Sequence, residues 1–273
     1  MVPSTPNITD KKYQKLTLQV ALDRLSFCCL DTLNNKVLAL EEIDFAHYPN
    51  PTQIEDCLKR VFQEHAILQN IFDEVIVLHD SNLSALVPSA LFDENYLGSY
   101  LQYNTKVFET DFFAYDVLSN YEINNIYIPY VNINNFIIDQ LGSFDYKHVH
   151  SVLVTTILDI SKNRDDKQVF VHFKNQHFEI IVVQNQKLLL FNSFEYKTPE
   201  DFLYYLLFTA EQLNLNPENF KLQLFGDLQE ESEYYQLAYK YIRNITLLDS
   251  SLLQRQNNLS STEILKHFIL LQS

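Results

Sequence analysis

The chain has 273 residues, 47% of them hydrophobic and 20% charged, with only three glycines. Such a composition supplies ample core, and the length fits one large domain or two compact lobes. A net charge of −15, with no basic patch and no apolar run of membrane-spanning length, speaks against nucleic-acid binding and membrane insertion.

Residues 1–14 read as a flexible arm, with Pro3, Pro6 and the charged Asp10-Lys11-Lys12. They lack the apolar core of a secretory signal, so a cytoplasmic location is expected. Residues 16–22 alternate as a half-buried strand does, 25–30 make a second strand, Asn34-Asn35 a turn and 37–43 a third strand. Thr52 opens a helix whose stripe is Ile54, Leu58, Val61, Phe62 and Ile67, and 74–78 is a buried-type strand. Next come Val87-Pro88, a helix over about 93–103, strand candidates at 112–114 and 122–128, and a helix over 131–141 stopped by Gly142. A strand over 144–149 and a helix over 152–160 complete this half. The polar run 161–167 is the best boundary between lobes.

The second half opens with strands over 168–173, 178–183 and 187–191, joined by turns at 174–176 and 184–186. Thr198-Pro199-Glu200-Asp201 is a strong helix start, with a capping hydroxyl, a first-turn proline and two acids at the positive end of the dipole. A very apolar helix over 202–215 follows, then a strand over 221–225, a helix around 229–243 and a strand over 245–248. A terminal helix begins at the cap Ser261-Thr262, with Ile264, Leu265, Phe268 and Ile269 as its stripe.

The two halves repeat one another. Residues 18–45 and 169–196 share a hydrophobic pattern in which Phe27 matches Phe178 and Lys36 matches Lys187. A helix follows each copy, then a short apolar strand ending in Asp80 or Asp227. A repeat of this length fixes architecture: three antiparallel strands, a helix, a strand, a helix and a last strand, given twice. That layout resembles the actin-like ATPase fold. More narrowly, residues 14–250 are similar to a bacterial family of degenerate actin-like fold, related to actin-like proteins of pilus assembly and type II secretion. The stretches LTLQVALDRLSFCCLD, NNKVLALEEIDF, SALVPSALFDE and KLQLFGDL carry the resemblance.

The expected class is α/β: a duplicated actin-like ATPase fold of two lobes, each a mixed, five-stranded-type sheet flanked by helices. Its expected divisions are the arm 1–14, a first lobe with insertions over 15–163, a second lobe over 164–250, and a C-terminal helix over 251–273 packing back on the body.

In working members of that superfamily, the resemblance implies an Asp followed by glycines in the first hairpin of each lobe, which bring backbone N–H groups onto the phosphates. Here Asp23 is followed by Arg24 and Leu25, and the second hairpin reads Lys174-Asn175-Gln176-His177. Asn175 tolerates a left-handed turn, but a Cβ blocks close approach by phosphate. The adenosine site implies a glycine pair after the fourth strand of the second lobe, where Gly226-Asp227 keeps one glycine. Asp23, Asn175, Gly226 and Asp227 are therefore vestigial nucleotide positions, and no catalytic residue, cofactor or metal is expected.

Other chemistry is sparse. His148-x-His150 on a strand places both rings on one face, a start for zinc that needs His172 or His177 through the fold; a hydrogen-bonded pair is the alternative. Cys28, Cys29 and Cys57 read as reduced, buried thiols. The acids Glu41-Glu42-Asp44 and Glu230-Glu231-Glu233 read as solvated faces. Seventeen tyrosines, several of them clustered, supply core and contact area. The sequence thus points to a non-catalytic scaffold or adapter with a protein partner or a second copy, docking through strands 37–43 and 187–191 if these are sheet edges. The alternative is a divergent nucleotide-binding ATPase or kinase.

Overall fold

A computed structural model describes residues 11–47, 54–108, 110–175, 177–253 and 259–273. Most of the expected arm, Thr52 and Gln176 lie outside those residues.

Three antiparallel strands open the described chain: β1 (Gln14–Val20), β2 (Arg24–Asp31) and β3 (Lys36–Asp44). Asn35, with φ of 52°, makes the turn between β2 and β3, a conformation Asn adopts more readily than most residues. After α1 (Ile54–Glu64), β4 (Glu74–His79) returns parallel to β1. An insertion then builds a small sheet from β5 (Ser84–Pro88), β6 (Ala114–Leu118) and β7 (Ile123–Tyr127), covered by α2 (Leu97–Leu101). α3 (Val131–Leu141) stops at Gly142, whose φ is 79°, and β8 (Asp145–His148) completes a sheet of order β3-β2-β1-β4-β8.

Beyond α4 (Val149–Ile160) the same path is traced again. β9 (Gln168–Phe173), β10 (His177–Gln184) and β11 (Lys187–Glu195) are antiparallel. α5 (Pro199–Gln212), β12 (Lys221–Gly226), α6 (Glu233–Tyr239) and β13 (Asn244–Leu247) complete a sheet of order β11-β10-β9-β12-β13. Strand order and direction match between the two sheets, and β3 and β11 are their corresponding edges. α7 (Ser261–Lys266) and α8 (Phe268–Gln272) end the chain.

Alternation along the strands explains the layers. Leu16, Leu18 and Val20 of β1 face α1 and α3, while Ile76 and Leu78 of β4 face the middle of the molecule. Val169 and Val171 of β9 face α5 and α6, and Phe170 faces the middle. The central core therefore takes side chains from both sheets, together with Leu153 and Ile157 of α4 and Phe268 and Leu271 of α8. Burying one such side chain contributes roughly 1.5–3 kcal/mol, so this shared layer couples the sheets.

Several expected elements shift for identifiable reasons. The helix expected over 93–103 is a 3-10 turn capped by Asp93 followed by the short α2. The strand expected at 112–114 begins at Ala114, and its pattern was obscured by Asp116, which points inward to His148 N (2.8 Å) and Ser151 Oγ (2.5 Å). The helix expected from 152 starts at Val149, because the His148 ring caps it by accepting the His150 N–H at 3.1 Å. The helix expected around 229–243 is only Glu233–Tyr239, capped by Ser232. The tail breaks at His267 into two helices. The start of α5 matches the expected pattern: Thr198 and Asp201 form a reciprocal capping box.

Candidate functional site

Hairpins at the ends of the central strands meet across a cleft of about 410 Å³. Residues 21–23 join β1 to β2, and Lys174 and Asn175 follow β9 on the way to β10. Asp23, Asn175 and Asp227 all line this cleft, so three of the four positions singled out from sequence converge. Asp23 and Asp227 are exposed. Asp23 is held by its neighbour: Arg24 Nη2 donates to Oδ2 at 3.0 Å and Nε to Oδ1 at 3.3 Å.

Gly226 sits just behind the cleft, at the end of β12, with φ of 96°. A Cβ there would lie 2.2 Å from the Phe173 carbonyl oxygen and 2.8 Å from its nitrogen. Packing between β12 and β9 thus gives this glycine a structural reason of its own. Asn175 does not take the left-handed turn its residue type permits; among the described residues that conformation falls to others, including Asn35, Asn185 and Gln186.

The feature that sequence reasoning missed is a buried ion cluster in the cleft wall. Lys174 Nζ donates to Asp80 Oδ1 at 2.7 Å and lies 3.3 Å from Glu179 Oε1. Asp80 Oδ2 also accepts from Gln19 Nε2 at 2.8 Å, and its backbone N–H bonds Val20 O at 2.9 Å. Glu179 is fully buried; His172 Nδ1 lies 2.9 Å from its Oε2, with His177 Nε2 and His150 Nε2 at 3.4 and 3.5 Å from Oε1. A single signal was legible: Glu179 is a lone acid inside the apolar run FEIIVV, close to His172, Lys174 and His177.

Burial works against charge on all three ions, yet their mutual attraction wins. Lys174 is raised above the usual lysine value by Asp80 and Glu179. Asp80 is held below the carboxylate range by Lys174 and Gln19. Glu179 is held well below it by Lys174 and by the imidazoles around it, of which His172 makes the hydrogen bond. A lysine that keeps its proton this firmly is a poor nucleophile or base. The Lys174–Asp80 pair links the ends of strands from the two sheets.

The two histidines of the H-x-H pair do not share a strand face. His148 ends β8 and His150 lies in the first turn of α4, both buried. His148 Nδ1 accepts from His150 N, and His150 Nδ1 meets Ser84 Oγ at 2.7 Å, which turns the rings to separate tasks. Burial, followed by the charges of His150 and Lys174, keeps His148 well below the ordinary histidine pKa. Among the described residues no group of three or more His, Cys, Asp or Glu is arranged to hold a metal ion. The three cysteines are buried and none of them is in a disulfide among the described residues. Of the acids read as solvated, Glu41 meets His65 at 2.8 Å and Glu42 meets Lys266 at 3.1 Å.

A family profile described as "Protein of unknown function (DUF3822)" matches residues 3–245. Among solved structures, a Bacteroides thetaiotaomicron VPI-5482 protein with actin-like ATPase fold and unknown function is similar over 99% of this chain and 100% of its own, at 22% identity and a TM-score of 0.80. A chain of the PilM–PilN type IV pilus biogenesis complex is similar over 94% and 96%, at 12% identity and a TM-score of 0.57. No protein with a curated description matches. At these identities the likeness shows the fold, which is actin-like. Among the described residues no helix is long and apolar enough to cross a membrane.

Proposed function

The chain belongs to the DUF3822 family, and we propose that it is a non-catalytic, actin-like scaffold or adapter of the bacterial cytoplasm, acting through protein contacts. One observation carries this reading: the cleft where the two hairpins meet contains a built-in ion pair, Lys174 with Asp80 at 2.7 Å, that joins the two sheets. A ligand that bridged the sheets there would have to compete with a bond the protein already makes. Neither hairpin carries a glycine, so side chains stand where phosphate would need bare backbone. The matching sheet topologies support descent from a duplicated, nucleotide-binding ancestor whose loops were lost. The proposed lobes are 15–163 and 164–250, a division supported by one five-stranded sheet in each.

Protein contact is supported by two exposed sheet edges, β3 and β11, and by the exposed Tyr96, Tyr103, Tyr204, Tyr239 and Tyr241. The similarly folded PilM chain is part of a complex with PilN, which supports a protein partner without identifying one.

A second reading, a divergent ATPase or kinase, is favoured by the convergence of Asp23, Asn175 and Asp227 on one cleft with Gly226 behind it. Melting scans with millimolar Mg-ATP, ADP or a non-hydrolysable analogue separate the two, since a ligand of the folded state raises the melting temperature. The adapter reading expects no shift. A shift that Asp23→Ala and Asp227→Ala both reduce would replace it with the nucleotide reading.

A further inference from the structure

A second cleft, of about 880 Å³, shares Asn82 with the first and is otherwise lined by different residues. Its volume is near the top of the roughly 300–1,000 Å³ range of small-molecule pockets, but its walls are unlike those of such a pocket. One wall is all of β5 and the other is most of β11. Each strand is the edge of its own sheet: β5 pairs with β7, and β11 pairs with β10. An antiparallel edge strand turns alternate backbone N–H and C=O groups outward. Two such edges therefore border a single groove.

The groove combines an apolar floor with polar side chains, among them Asn104, Asn192 and Ser193. Leu86, Ile123, Leu188 and Phe191 are partly buried against the central core beneath it. Leu189 is 39% exposed and Tyr103 is 86% exposed, which leaves two large apolar groups facing solvent beside the edges. Glu195 is the only carboxylate among the described lining residues, and no Lys or Arg accompanies it.

We infer that this groove takes one extended segment of a partner protein, added as a strand between β5 and β11. Main-chain bonding would give affinity, and alternate side chains would fill the apolar floor. The segment is neutral to basic, with apolar residues at every second position and a Lys or Arg beside Glu195. Charge selects against a second copy of this chain, because a net charge of −15 on both molecules repels. The inference rests on the adapter reading and gives it a site and a partner chemistry.

The probe is a fluorescent heptapeptide, Lys-Val-Thr-Val-Thr-Val-Lys, titrated against the full chain at 0.15 M salt without nucleotide. Saturable binding is expected, weakened at least about tenfold by N-methylation of alternate residues or by Leu189→Asp. Leu38→Asp, at the corresponding position on the other edge strand, is the control for charge alone and should change binding less than about twofold. Both positions are exposed, and melting scans verify that each variant folds. No saturable binding, equal loss from both variants, or indifference to N-methylation would overturn the inference. So would a dimer, seen by sedimentation, that Leu189→Asp dissolves. Because the nucleotide scans use no peptide and this titration uses no nucleotide, either conclusion can fail alone.

Discussion

Lys174 and Asp80 follow strands of different sheets, 94 positions apart in sequence, yet their side chains meet at 2.7 Å. Lys174 follows the last residue of β9, and Asp80 follows the last residue of β4. The two strands are not equivalent, since β9 corresponds to β1 and β4 to β12, but both end at the cleft. The pair is nearly enclosed, with side-chain exposures of 10% and 11%. Its net worth over a well-packed apolar pair is small, but losing one member leaves buried, uncompensated charge.

Lys174→Met should therefore destabilise the fold by about 3–5 kcal/mol, the cost of stranding buried carboxylates. Adding Asp80→Asn and Glu179→Gln to that variant should recover part of the loss, since no unpaired charge then remains. Lys11→Met, on an exposed residue, should stay within about 0.5 kcal/mol. Urea unfolding of the four proteins measures this. A triple variant no more stable than Lys174→Met would show that the cluster contributes packing and not charge balance.

Stability should fall in two stages on acidification. His79, buried beside Tyr127, Tyr130 and Tyr146, has its pKa lowered by burial to about 4. The unfolded chain takes up that proton first, so the stability from neutral His79 is whole above about pH 6.5 and is lost as pH falls toward 4. His148 and His150 are depressed by burial too and act with the same sign. Asp80 and Glu179 are depressed carboxylates, whose contribution is present above about pH 4 and is lost below it as pH falls through their folded values. His79→Asn keeps an acceptor for the Tyr130 N–H and should flatten the upper stage only. Chemical denaturation at pH steps from 7 to 3 reads both stages; an unchanged slope above pH 4 in that variant would contradict the assignment.

Gly226→Ala should be far costlier than Gly142→Ala. Both glycines have positive φ, but a Cβ at Gly226 meets Phe173 backbone at 2.2 Å and one at Gly142 meets nothing within 4 Å. Strain alone predicts about 1–2 kcal/mol at Gly142. Gly226→Ala adds a displacement of β9 from β12, so its melting temperature should drop well beyond that of Gly142→Ala. Equal losses would mean that the strands give way cheaply.

These contrasts show what the sequence made legible. The order of elements along each half follows from strand alternation and from the repeat linking Phe27 to Phe178, and the Thr198 box marks a helix start that the structure keeps. Local rules carried that far because the groups involved are near neighbours. Asp116 hid β6 because an inward acid, bonded to His148, Ser151 and Tyr127, breaks an apolar pattern for a tertiary reason. The His148 cap was missed because a ring nitrogen did the work of a hydroxyl or carboxylate. The cleft cluster was missed because Asp80, Lys174 and Glu179 are brought together only by the way the two sheets face one another. Asp23, Asn175 and Asp227 were singled out by a resemblance, and the three line one cleft.

The central claim is that the protein's own lysine stands in the cleft that a nucleotide would otherwise bridge. Calorimetric titration of Mg-ATP into the intact chain tests it most directly. No saturable heat is expected up to millimolar nucleotide, both for the natural chain and for Asp23→Ala. A saturable isotherm that Asp23→Ala and Asp227→Ala each weaken would contradict it and make the cleft a working nucleotide site.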